Sequence, residues 1–275
     1  QEYHRGVPVK PVGEATDKQL SEWGIDSKGQ RSGTITRFLP DTEIFGDLIY
    51  EKAKIKSLLR DRAYLVAKLA FNFKDHRDSD EASYYFEGGI KSLVAHSNRG
   101  KNILSNVIYV SKDLPQQAGN IEMNAEVAIQ YTDGFNENVK GFVNGIYTTD
   151  GGTHVTGFRT ALTRSITDYV KKNSNGKDEM ILTAVIYVKM PSETLQFESQ
   201  TKAKLNNPEV QGFVATTVKE GLDQYFEEHP QDVKKIIEKV TLAAQARLAA
   251  RAAKDAVLRK GALDGASLPG KLADC

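Results

Sequence analysis

Gln200 and Lys202, in the stretch LQFESQTKAKLNN (residues 195–207), are of types that suit an anionic ligand. A lysine ammonium supplies a point charge to a terminal phosphate, and a glutamine amide hydrogen-bonds the same oxygens. The segment has no glycine for a backbone nest and no acid placed to hold a metal. The pair is therefore either an ordinary solvated surface or a reach into a site built by other residues. Arg247, Arg251 and Lys254 form a second candidate. Their i, i+4, i+7 spacing puts them on one stripe of a helix. Eight basic residues face only two acidic ones between Lys234 and Lys260. Such a stripe is a solvated face or a wall facing nucleic-acid phosphates.

Other chemistries are missing. The five histidines, His4, His76, His96, His154 and His229, show no metal-ligand spacing, and no metal site is expected. The chain has no Gly-x-Ser-x-Gly elbow, no Gly-x-x-x-x-Gly-Lys-Ser/Thr loop and no Gly-x-Gly-x-x-Gly. A self-contained hydrolase is not expected, and any phosphate cradle must lie elsewhere. The single cysteine, Cys275, excludes an internal disulfide framework. A net charge of +1 gives no global pull toward nucleic acid or membrane.

The elements that must position these residues read as a mixed α+β chain. At 275 residues it has room for two domains. The run SGTITRFL (32–39) predicts a strand ended by Pro-Asp. Helical spacing of Ile55, Leu58, Leu59 and Leu65 predicts a helix within 50–68. AKLAFNFKDHRD and EASYYFEGG read as a hairpin, and IKSLVAHSN as a short helix. Two strand signals follow, NILSNVIYVSKD and NAEVAIQYTDGFNENVKGFVNGI, then the turn TTDGGTH, a helix over 157–172 and a buried strand to Val188. Helices begin again at Pro208 and at Gln231, the latter running to about Leu263. EGGI and DGGTH are expected to be chain reversals rather than ligands. The longest apolar run, ILTAVIYV, is far short of the roughly 20 residues a membrane helix needs, so a soluble protein without a membrane partner is expected, and the lone cysteine fits a reducing cytoplasm. The absent initiator Met and the ending LPGKLADC suggest a piece of a longer chain.

The segments SGTITRFLPD, YFEGGIKSLV, EVAIQYTDGFNENVKGFVNGI, DGGTHVTGFRTALTR, FESQTKAKLNNPEV and GASLPGKLADC, in this order, resemble the ATPase subunit of bacterial type IIA DNA topoisomerases, and within it the gyrase B type. The resemblance implies the C-terminal part of a GHKL ATPase sandwich over 1–98 and a transducer domain of split βαβ type, with a long basic C-terminal helix, over 99–264. Residues 265–275 would lead into an absent Toprim domain. Gly33 and Thr34 resemble the strand that closes the adenine side of the ATP pocket. Gln200 and Lys202 resemble the transducer loop that reaches the γ-phosphate, and Arg247, Arg251 and Lys254 fall on the helix walling the cavity for transported duplex DNA.

The implied cofactors are ATP and Mg2+. The Mg-binding Asn, general-base Glu and glycine lid of the family lie upstream of Gln1, so the piece alone should not hydrolyse ATP. The implied partners are duplex DNA, a second copy through the ATPase region, and the gyrase A protein of the parent heterotetramer. Departures around KKNSNGKDEMILTAV, which is short between residues 171 and 182, leave the corresponding ATPase protein of topoisomerase IV open as an alternative. A non-enzymatic nucleic-acid-binding module is the rival from another class, disfavoured by the lack of aromatic strand faces for base stacking.

Overall fold

The computed structural model describes residues 1–23, 33–116, 121–134, 136–173 and 182–264. The side chains of 170–173, 243, 244, 247, 248, 251 and 255–264 are outside that description. The chain forms two compact units, 1–55 and 56–275. In the first, β1 (Glu2–His4) and β2 (Val7–Lys10) make an antiparallel hairpin. Its turn residues Arg5 and Gly6 have φ of 47° and 82°, the pair of left-handed conformations that matches strand twist. α1 (Asp17–Glu22) carries a reciprocal capping box between Thr16 and Gln19. Asp41 caps α2 (Thr42–Phe45), its Oδ1 accepting from the Glu43 amide.

The strand expected over 32–39 is not formed. Residues 33–39 are irregular and exposed, and Ser32 lies outside the described residues. The β-branched composition supplies propensity, but a strand also needs a neighbour for its ladder, and among the described residues this segment pairs with none.

In the second unit, α3 (Lys52–Leu65) buries Ala63, Tyr64 and Leu65 in its last turn. β3 (Phe71–Asp75) and β4 (Asp80–Tyr84) form the expected hairpin, and α4 (Ile90–Ser97) the expected short helix. The centre is a five-stranded sheet of β5 (Ile108–Leu114), β6 (Met123–Tyr131), β7 (Asn138–Val143), β8 (Ile146–Tyr147) and β9 (Leu182–Lys189), in the order β5-β6-β9-β7-β8. The long signal over 124–146 thus resolves into three strands. β7 turns into β8 at Asn144 and Gly145, with φ of 47° and 78°. The Asn144 side chain closes that turn onto the end of β9, donating to the Met190 carbonyl and accepting from its amide.

α5 (Thr153–Asn173) crosses from β7 to β9, which run parallel. The two strands are direct neighbours, with Gly141 opposite Ile186, so no strand splits the crossover. The expected split βαβ is therefore corrected. β6 lies on the other side of β9, antiparallel to it, and its odd-numbered side chains share a face with the even-numbered ones of β9.

Both faces of the sheet are covered. Met123, Ala125, Val127, Ile129 and Tyr131 of β6, with Leu182, Ala184, Ile186 and Val188 of β9, face α5, α6 (Pro208–Glu228) and the start of α7 (Pro230–Asp264). Ala128, Phe142, Val185 and Tyr187 face α4 and the end of α3. β9 is buried on both sides, which is why it reads as one continuous apolar run. On α6 the buried Val210, Val214, Val218, Leu222 and Phe226 recur every fourth residue and form one stripe. Each such burial stabilises the unit by about 1.5–3 kcal/mol.

Tyr225 sets the corner between α6 and α7, donating to Asp232 at 2.7 Å. Beyond Val240, the described side chains of α7 are exposed or half-buried. Among the described residues no helix is long and apolar enough to cross a membrane.

Candidate functional site

Gln200 and Lys202 stand at the tip of a narrow irregular hairpin that leads into α6. Its two arms are tied by backbone hydrogen bonds. The Asn206 amide donates to the Gln196 carbonyl at 2.8 Å, the Glu198 amide to Lys204 at 3.0 Å, and the Lys202 amide to Ser199 at 3.1 Å. The last bond closes a four-residue turn, Ser199-Gln200-Thr201-Lys202. Lys202 takes φ of 57° to complete it, a left-handed conformation that costs a non-glycine residue about 1 kcal/mol or more.

The tip is exposed, and its donors are one ammonium, one amide and two hydroxyls, those of Ser199 and Thr201, 2.7 Å apart. Lys202 Nζ lies over the Phe197 ring at 5.9 Å from its centroid. Glu198, the acid nearest the tip, is engaged by Lys204 at 3.1 Å. This donor set fits a phosphate oxyanion. Among the described residues no group of three His, Cys, Asp or Glu side chains could hold a metal.

The hairpin is anchored at its base by the glycine turn of DGGTH. The Asp150 amide donates to the Ala203 carbonyl at 2.9 Å, the Leu205 amide to Gly151 at 3.2 Å, and the Thr153 amide to Leu205 at 3.0 Å. This approach needs glycine at position 152. Its φ is +130°, and a Cβ there would lie 2.3 Å from the Leu205 carbonyl oxygen. The turn is thus a chain reversal, as expected, that also carries the backbone ladder beneath Lys202.

His154, the next residue but one, is fully buried. Its Nε2 is 3.1 Å from the Thr148 hydroxyl, which itself donates to the Gly141 carbonyl at 3.0 Å. The hydroxyl proton being used, Nε2 donates to Thr148, and Nδ1 is left buried without a hydrogen-bond partner. Burial pushes the imidazole pKa down to about 4, so the ring is neutral. The ring occupies the space left by Gly141, whose Cβ would meet Nε2 at 2.2 Å. His154 is therefore a packing group under the turn and not a ligand.

Asn207, at the end of the hairpin, is also fully buried. Its Oδ1 accepts from the Gln196 amide at 2.7 Å, and its Nδ2 donates to the Thr194 carbonyl at 2.9 Å and to Glu209 at 2.7 Å. Sequence reasoning missed Asn207 and the anchoring role of Gly152. The Asp-Gly-Gly signal and the Asn before Pro208 were the available pointers, but each reads locally as a turn or a helix cap.

The structure brings Gln200 and Lys202 together on one turn. Gly33 and Thr34 lie exposed in the irregular segment of the first compact unit. Arg247, Arg251 and Lys254 lie on α7; Lys254 is exposed, and the side chains of the two arginines are outside the described ones. Residues 174–181, which hold most of the shortened loop, and 265–275, the expected linker, are also outside the described residues.

A DNA gyrase B protein from Clostridium acetobutylicum is 40% identical over 288 residues, a match that covers 100% of this chain and 42% of that protein. The chain thus spans less than half of that relative's length. Among solved structures, the 43K ATPase domain of Thermus thermophilus gyrase B in complex with an aminocoumarin is 35% identical, with a TM-score of 0.65 over 78% of this chain and 59% of that one. The topoisomerase IV ATP-binding domain of Francisella tularensis is 27% identical, with a TM-score of 0.63 over 76% of this chain and 57% of that one. The DNA gyrase B family model matches residues 89–256, from the turn before α4 into α7. The chain belongs to the DNA gyrase B family.

Proposed function

We propose that this chain is the part of a DNA gyrase B protein that senses the terminal phosphate of ATP and passes that signal to the DNA-handling region of a type IIA topoisomerase. The observation that carries the reading is the anchored hairpin whose exposed tip presents Gln200 and Lys202 and no carboxylate. Bound ATP would supply the anionic oxygens that the tip is suited to meet. The Lys202 ammonium would balance charge on the terminal phosphate, the Gln200 amide would orient it, and the ladder to Gly151 and Leu205 would hold both groups against recoil. Gly33 and Thr34 are proposed for the adenine side of the pocket. Mg2+ and its ligands, with the general base, belong to residues outside this chain.

In this reading residues 1–98 are the C-terminal part of the GHKL ATPase domain, 99–264 the transducer, and 265–275 the lead into the next domain. α7 with Arg247, Arg251 and Lys254 faces the phosphates of a duplex that is passed through the enzyme, and its eight basic residues against two acidic ones between Lys234 and Lys260 support this. A second copy of the chain and the gyrase A protein are the protein partners, in the cytoplasm. Gyrase is favoured over topoisomerase IV because the family model that matches is that of DNA gyrase B.

The test is Lys202→Ala in a protein completed to the length of its gyrase B relatives. Removing one charge-assisted contact to the developing phosphate charge should lower ATP turnover by roughly 10²–10³-fold. Melting temperature should stay unchanged, because the side chain is exposed. Turnover at the unsubstituted rate would overturn the assignment.

A further inference from the structure

Asn207 occupies the N-cap position of α6, a place where an asparagine side chain ordinarily accepts from the amides of the first turn. Here it makes no such bond. Its amide turns the other way, into the base of the hairpin, and spends all three of its described hydrogen bonds there or on Glu209: Gln196 amide to Oδ1 at 2.7 Å, Nδ2 to the Thr194 carbonyl at 2.9 Å, and Nδ2 to Glu209 at 2.7 Å. The residue is fully buried, so its own amide atoms have no access to bulk water. A helix cap has been given up for a clamp on the chain that carries Lys202.

The clamp has a mechanical consequence. Gln196 and Asn206 are paired across the hairpin, and Asn207 holds Gln196 and Thr194 from the same end. Asn207 is the first residue before α6, and α6 packs along α5, whose own N-terminus holds Leu205 through Thr153. The base of the hairpin is thereby tied to two helix N-termini.

We propose that Asn207 is a positioning residue for Lys202: its buried amide fixes the Gln196–Asn206 hairpin to the N-terminus of α6, so that Lys202 reaches its anionic ligand from a rigid support. The proposal rests on the reading of Lys202 as the terminal-phosphate contact.

Two substitutions separate positioning from folding. Asn207→Ser keeps a residue well suited to cap α6 but is too short to hold the hairpin. Asn207→Asp keeps the acceptor for Gln196 and loses both donated bonds. In the chain itself, hydrogen exchange at the Glu198, Lys202 and Asn206 amides should quicken by about tenfold in Asn207→Ser, with the amides of α6 unchanged. In the protein completed to full length, both variants should lower kcat by about 10–100-fold while KM for ATP stays within about threefold, because a displaced group loses transition-state contacts first. Adding Asn207→Ser to Lys202→Ala should cost clearly less than Asn207→Ser costs alone, the remainder being what the displaced Gln200 contributes.

If Lys202→Ala cripples turnover and Asn207→Ser does not, the positioning role is wrong and the phosphate reading stands. If Lys202→Ala itself is silent, the reading falls and this inference with it. If Asn207→Ser lowers turnover equally with and without Lys202, or exposes the α6 amides together with the hairpin, Asn207 is a structural residue only and the proposal is overturned.

Discussion

Gly152→Ala should unseat the support of the Lys202 hairpin. The added Cβ would sit 2.3 Å from the Leu205 carbonyl oxygen and 2.5 Å from its nitrogen, and both are backbone atoms with no flexible end to swing away. Leu205 must retreat by roughly 1 Å to restore ordinary contact. Leu205 is fully buried in the main core, so the movement is resisted on its far side. The bonds from Leu205 to Gly151 and from Thr153 to Leu205 are lost or stretched, at about 1 kcal/mol each. An alanine held at φ +130° adds about 1–3 kcal/mol of strain. The cost is about 4 kcal/mol, a large share of the 5–15 kcal/mol typical of a domain. With a urea m-value of about 2–3 kcal/mol/M, the midpoint should fall by about 1.5 M. Trypsin should then cut faster after Lys202 and Lys204. A midpoint within about 0.3 M of the unsubstituted chain would refute the close-approach argument.

His154 should make the chain acid-labile. Its folded pKa is about 4 and its unfolded value about 6.5. Its contribution is therefore fully present above pH 6.5 and is lost as pH falls toward 4, with about 2 kcal/mol gone between pH 7 and 5. His154→Gln should flatten that part of the stability profile, and an unaltered pH slope would contradict the buried neutral ring. Replacing Arg247, Arg251 and Lys254 together with Gln should leave circular dichroism unchanged, since the helix propensities are close. It should also abolish a weak, sequence-independent binding of duplex DNA whose log K falls with log salt at a slope near −3, about 0.9 per phosphate contact. The same affinity and slope in the triple variant would make the stripe a solvated face.

Periodicity carried most of the second unit. The helical spacing of Ile55, Leu59 and Leu65 and the apolar run of β9 follow from burial on one or two faces, a property that spacing records directly. Where a segment depends on a partner distant in sequence, spacing was silent. Residues 33–39 have strand composition but no ladder, and the adjacency of β7 to β9 follows from a register that no local pattern encodes. At the site, Gln200 and Lys202 were legible as residue types. Their support was not, because it consists of backbone bonds to Gly151, Thr153 and Asp150 some fifty residues earlier. Asn207 was hidden for a related reason: an Asn before Pro208 reads as a helix cap, and only the folded chain shows the amide bonded to Gln196 and Thr194 with no cap bond to the helix amides.

The proposed contact between the tip at Gln200 and Lys202 and the terminal phosphate of a bound nucleotide is open to direct test. Photo-crosslinking with an ATP analogue carrying its reactive group on that phosphate, in a protein completed to the length of its gyrase B relatives, tests it most directly. Label competed away by ATP should map to the peptide spanning residues 198–204, and Lys202→Ala or Asn207→Ser should reduce it. Competed label that maps wholly elsewhere, with this peptide unlabelled, would contradict the account.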